Sequence, residues 1–96
     1  MSKGYWLAIY KAIHDADTVA EYAKQATIAI AEGGGVFLSR GMPEAMLEGD
    51  DATRTVLIEF PSAEAAVNAY GSDSYKKALE ILGKAADREI RILNGL

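Results

Sequence analysis

Gly33-Gly34-Gly35-Val36-Phe37-Leu38-Ser39-Arg40-Gly41, followed by Glu48-Gly49 and then by Val56-Leu57-Ile58-Glu59-Phe60-Pro61, packs a helix stop and two strands into fewer than thirty residues and so sets the architecture. Gly33 closes a helix, because glycine takes the left-handed turn at a helix end without steric cost. Val36 to Ser39 reads as a short strand that delivers Arg40, and Arg54 to Phe60 as a second strand that delivers Glu59. Pro61 has no amide to donate and stops that ladder, and Ser62, with Glu64 in the first turn, caps a following helix.

Upstream, Tyr5 to Ile13 is an apolar and aromatic run broken only by Lys11, rich in strand formers and too short for a helix. His14-Asp15-Ala16-Asp17-Thr18 then supplies helix-start chemistry: Asp15 can accept from first-turn amides, and Thr18 with Glu21 matches a capping box. Val19, Tyr22, Ala23, Ala26 and Ile30 follow the spacing of one buried helical stripe. Downstream, Ala65, Ala66, Ala69 and Tyr70 form the inner side of a helix that Gly71-Ser72-Asp73 kinks or restarts, and Tyr75, Ala78, Leu79 and Leu82 resume it. Arg88 to Leu93 alternates as a half-buried final strand.

The order β-α-β-β-α-β over 96 residues is the ferredoxin-like plan in one domain spanning 1–96, a four-stranded antiparallel sheet with both helices on one face. Alternation assigns Leu7, Ile9, Val36, Leu38, Val56, Ile58, Phe60, Ile90 and Ile92 to the helix-covered core, with Arg40 at its edge. The opposite face collects Trp6, Ala8, Tyr10, Phe37, Ser39, Thr55, Leu57, Glu59, Glu89, Arg91 and Leu93. So apolar a face calls for a cover, and self-pairing into a dimeric α/β barrel, with a cavity between the two sheets, supplies one.

The net charge of −4 argues against nucleic acid, and no basic and aromatic stacking motif lies on the middle strands. With no cysteine there is no disulfide, thiolate nucleophile or Cys-ligated metal. A lone histidine is no metal site, so neither metal nor cofactor is expected. Met1-Ser2-Lys3-Gly4 leads into the first strand without the pattern of a signal peptide, no window reaches the roughly 20 apolar residues a bilayer helix needs, and a cytoplasmic protein without membrane partners is expected.

Tyr22, Gly34-Gly35, Arg40-Gly41, Glu48-Gly49, Ile58-Glu59-Phe60-Pro61-Ser62, Ala66, Tyr70, Ser72 and Tyr75 together resemble domain-of-unknown-function family 1330, over nearly the whole chain from Trp6 to Gly95. The resemblance implies a ferredoxin-like fold of the dimeric α/β-barrel superfamily, whose members include cofactor-independent monooxygenases, isomerases, haem-handling proteins and ligand sensors. It brings no established activity. Family members often carry an arginine where Leu82 stands, which implies that a site using that arginine is altered here.

The candidate catalytic residues are Arg40, Glu59 and His14. An arginine beside an apolar cavity clamps a carboxylate through two parallel hydrogen bonds, and a desolvated glutamate serves as a general base. The alternative is a structural ion pair between Arg40 and Glu59 or Glu48. His14 either shuttles protons at the barrel mouth or is a polar turn residue before a helix cap. Trp6, Tyr10, Phe37 and Glu48 are the candidate ligand-binding residues, the aromatics serving either as pocket walls or as dimer core. The glycines lack the Lys-Ser/Thr of a phosphate loop and open a strand, so helix termination accounts for them. Three functions follow: a cofactor-independent enzyme on a small organic acid, a non-catalytic ligand-binding homodimer, or a purely structural one.

Overall fold

The computed structural model describes residues 2–49 and 53–96. Its elements run β1 (Gly4–Ile13), α1 (Ala16–Glu32), β2 (Val36–Gly41), β3 (Thr55–Phe60), α2 (Ala63–Tyr70), α3 (Asp73–Leu82) and β4 (Ala86–Asn94). The strands form one antiparallel sheet in the order β2-β3-β1-β4, the ferredoxin-like arrangement expected, and the helices lie on one face of it. No helix among the described residues is long and apolar enough to cross a membrane.

Local chemistry sets the boundaries. Of the two start signals for α1, Asp15 is the cap: its side chain accepts from the Thr18 amide at 3.1 Å, and Thr18 lies inside the first turn. The break at residues 71–72 is a restart, because Ser72 accepts from the Tyr75 amide and opens α3 as Ser62 opens α2. At the end of α1, Gly33 has φ −81 and the left-handed residue is Gly34, at φ +91. Gly34 thus makes the turn that Gly33 was expected to make. Gly33 instead lets α2 approach, since a Cβ there would sit 2.6 Å from the Ala69 methyl.

The face assignment holds for β3, β4 and the end of β2, and fails for β1 and for Val36 and Phe37 at the start of β2. Val56, Ile58 and Phe60 are buried under the helices, and Ile90 and Ile92 pack against the same core. On β1, however, Trp6, Ala8 and Tyr10 point into that core, while Leu7 and Ile9 lie half-buried on the open face. Both sets are apolar, so alternation alone could not choose. The structure buries the larger aromatic set, and Trp6, 1 % exposed, stacks on Phe60 and meets Tyr75 edge-on.

On β2 a bulge breaks the period of two: Phe37 pairs with Ile58, but Ser39 pairs with Leu57 and Arg40 with Val56. Phe37 and Arg40 therefore share the helix-covered face, and Val36 turns to the open side opposite Glu59. Leu38, the extra residue, is exposed. The expected aromatic lining of the open face is thus corrected: Trp6, Tyr10 and Phe37 all face the helices.

Replacing Gly34 by Ala forces a side chain into the left-handed region, and a loss of about 1–2 kcal/mol in unfolding free energy is expected. Urea titration measures it; an unchanged midpoint would refute this role.

Candidate functional site

Small residues leave a hollow between α1 and the sheet. Ala23 and Ala26 of α1 meet Ala8 of β1, and the gap opens into a narrow cavity of about 30 Å³, walled by Trp6, Tyr10, Tyr22 and Phe37. That volume has room for one or two waters. Three arginines complete the lining: Arg40 from the end of β2, Arg54 just before β3 and Arg88 from β4. None makes a salt bridge to a carboxylate among the described residues. The Arg40 guanidinium lies 4.5 Å from the centre of the Phe37 ring, so the aromatic face holds it.

Arg88 is held differently. It stands opposite Tyr10 in the β1–β4 ladder and shares the helix-covered face with Ile90 and Ile92. One terminal nitrogen, Nη1, donates to the Tyr22 hydroxyl at 2.7 Å and, more weakly, to that of Tyr10 at 3.4 Å; Nη2 donates to Tyr75 at 3.1 Å. The Tyr22 and Tyr75 oxygens are themselves hydrogen-bonded at 2.5 Å. Two phenols side by side thus meet the end of the guanidinium as a carboxylate would, without a negative charge. Ser72 positions Tyr75 by capping α3, and the buried stripe of α1 positions Tyr22.

Burial raises the pKa of Tyr10, Tyr22 and Tyr75 above the ordinary tyrosine value of 10.0, and for Tyr22 the neighbouring Tyr75 adds to it. Arg88 opposes the shift in each case without overturning it. For Arg88, burial works against the charged form, but the phenol oxygens outweigh it, and the guanidinium keeps its proton. The site therefore presents neutral phenols around a cationic Arg88 throughout the physiological range.

The candidates named from sequence separate into two groups. Trp6, Tyr10, Phe37 and Arg40 come together in the cavity. Glu59 lies on the opposite face, opposite Tyr5 and Val36, and accepts from the Tyr5 hydroxyl at 3.2 Å. The proposed Arg40–Glu59 pair is therefore not made: the two side chains leave opposite sides of the sheet. His14 sits in the turn after β1, exposed and 3.0 Å from Asp87. Glu48 is exposed in the loop after β2 and does not line the cavity.

Sequence reading missed Arg54, Arg88 and the phenol cluster. Tyr75, placed by its spacing on the inner side of a helix, is fully buried with its hydroxyl bonded to Tyr22 and Arg88. One signal was available. Residues 88, 90 and 92 share a strand face, so the alternation that buried Ile90 and Ile92 also carried an arginine inward, where an unpaired cation is rare.

A Tyr22→Phe variant leaves a buried Arg88 N–H without its acceptor and is expected to cost about 1–3 kcal/mol. The phenols also set a pH dependence. In the unfolded chain they ionise near pH 10, whereas in the folded chain they stay protonated to higher pH, so unfolding releases protons there. Stability is fully present below about pH 10 and falls as pH rises beyond it. Urea unfolding from pH 8 to 11 measures this, and Tyr22→Phe should flatten the decline; an equal slope in both proteins would contradict the assignment.

The chain is similar to several solved structures. A protein of unknown function from Rhodopseudomonas palustris, RPA0582, superposes with a TM-score of 0.79 at 21% identity, covering 99% of this chain and 83% of that one. SnoaB, a cofactor-independent oxygenase from Streptomyces nogalater, gives 0.72 at 8% identity, over 100% and 95% of the two chains. A dimeric protein of unknown function with a ferredoxin-like fold from Bacteroides fragilis gives 0.57 at 13% identity, over 96% and 95%. At these identities the likeness is one of fold. No curated protein matches the chain. The model of one protein family matches residues 3–96, the span that holds every strand, the phenol cluster and all three cavity arginines, and the chain belongs to that family, the domain of unknown function DUF1330.

Proposed function

We propose that the protein binds a small organic acid whose carboxylate enters the cavity between α1 and the sheet. The observation that carries this reading is the convergence of Arg40, Arg54 and Arg88 on an aromatic-walled hollow in which no described carboxylate neutralises them. Arg40 stacks on Phe37 at the edge of the sheet, a place from which a planar guanidinium can take a carboxylate with two parallel hydrogen bonds. The cavity is too narrow for a whole metabolite, so the acid's head displaces water inside and its body rests in the mouth.

The likeness in fold to a cofactor-independent oxygenase keeps a catalytic form of this reading in view. Binding without turnover is the form favoured here, because Glu59 and His14, the two side chains considered for proton transfer, lie outside the cavity. We also propose that the open sheet face pairs with itself. Leu7, Ile9 and Leu57 form its centre, Leu93 lies half-exposed beside them, and Lys11, Glu89 and Arg91 form an ion-pair ladder along β1 and β4. The ferredoxin-like neighbour from Bacteroides fragilis is dimeric.

Benzoate should raise the melting temperature and bind at least about tenfold more tightly than benzamide, the difference being a charge-assisted hydrogen-bond pair. Arg40→Gln should remove that preference; benzamide binding as well as benzoate would reject the site. Sedimentation should find a dimer at micromolar concentration and Leu57→Lys a monomer. A monomeric parent would reject the pairing and leave the cavity reading standing.

A further inference from the structure

On the other side of Arg88 lies a second, larger hollow. It is a groove of about 450 Å³ between α2, α3 and β4, walled by Val67, Tyr70, Leu79, Leu82 and Ile90, with Arg88 its single charged lining residue. Its volume falls within the range of small-molecule sites, roughly 300–1,000 Å³, whereas the α1 cavity does not. Val67 and Tyr70 are exposed at 57% and 40%, so the groove is open along α2.

The hydrogen bonds of Arg88 leave one of its edges unused. A guanidinium has five N–H groups, and three are taken by Tyr10, Tyr22 and Tyr75. Five less three leaves two: Nε–H and one hydrogen of Nη2. With the two terminal nitrogens turned to the paired phenols, the remaining two hydrogens lie along the side edge of the group, which accepts a carboxylate in bidentate fashion. Nε has no protein partner among the described residues, and no buried side-chain nitrogen there lacks a partner, so this edge is reached from outside.

We propose that the groove binds a monocarboxylic acid with a linear apolar body, its carboxylate on the side edge of Arg88 and its chain along Leu79, Leu82 and Ile90. Two features select that class. The phenols leave the guanidinium charge uncancelled, so an anion is favoured over a neutral head, and among the described residues no second cation lines the groove to hold a dicarboxylate or a phosphate ester. The apolar walls on both sides favour a hydrocarbon body over a polar one. This site is separate from the α1 cavity, with which it shares only Arg88.

The test uses the intact protein and octanoate as probe. Octanoate is expected to bind at least about tenfold more tightly than octanamide, and to shift the amide resonances of Val67, Leu79 and Ile90. Val67→Glu puts a carboxylate at the exposed rim, away from the phenol cluster, and should weaken octanoate at least about tenfold while leaving the melting temperature unchanged. If Val67→Glu instead unfolds the chain, the resonance map of the parent protein decides. Octanamide binding as tightly as octanoate, or octanoate shifts confined to Thr27 and Phe37 in the α1 cavity, would overturn the proposal. Failure of benzoate at that cavity would leave it untouched.

Discussion

One guanidinium ties the structure together. Arg88 of β4 donates to phenols from β1, α1 and α3, so a single planar group fixes four elements relative to one another. A half-buried cation is costly unless its donors are met, and here neutral oxygens meet three of the five. A carboxylate partner would have cancelled the charge. Phenols satisfy the geometry and leave the charge in place, which gives a chain of net charge −4 an electropositive interior wall. Both hollows that flank Arg88 inherit that potential.

The size of the α1 cavity follows from the same packing. Trp6, Phe60 and Tyr75 fill the region between α3 and the sheet with interlocked rings, whereas the facing positions near Arg40 carry alanines. Large side chains at one end and small ones at the other leave room under α1 where the arginines gather. A core built this way separates the parts that hold the fold from the parts left free to meet a ligand, although Tyr22 and Tyr10 belong to both.

Element order, the break at Gly71-Ser72-Asp73 and the caps at Asp15 and Ser62 were legible because each rests on chemistry within a few residues. The faces of β1 and β2 were not. Trp6-Leu7-Ala8-Ile9-Tyr10 is apolar in both registers, so the pattern contains no polar residue to mark the outside. On β2 the bulge at Leu38 depends on pairing with β3 and has no local sign, yet it decides that Phe37 and Arg40 share a face. Arg40, Trp6, Tyr10 and Phe37 were singled out as site residues from their types, and the structure gathers them on the helix-covered side of the sheet, the side expected for Arg40 and opposite to the one expected for the three aromatics. Arg88 escaped notice because a charged residue at a strand start looks like a surface residue until its alternation partners are counted.

The position of β1 carries a consequence for how the protein comes into being. β1 precedes the other three strands but lies between β3 and β4, and it pairs with β4 along almost its entire length, from Gly4 opposite Asn94 to Ile13 opposite Ala86. Beyond the strand end the Gly95 amide reaches the Lys3 carbonyl at 2.7 Å. Such contacts span nearly the whole sequence, and their loop-closure entropy must be met before they give anything back. On the ribosome, Trp6 and Tyr10 therefore stay without their final neighbours until β4 has emerged. Folding is held back until β4 is available, with an aromatic strand exposed in the meantime to whatever chaperone or sister chain reaches it first.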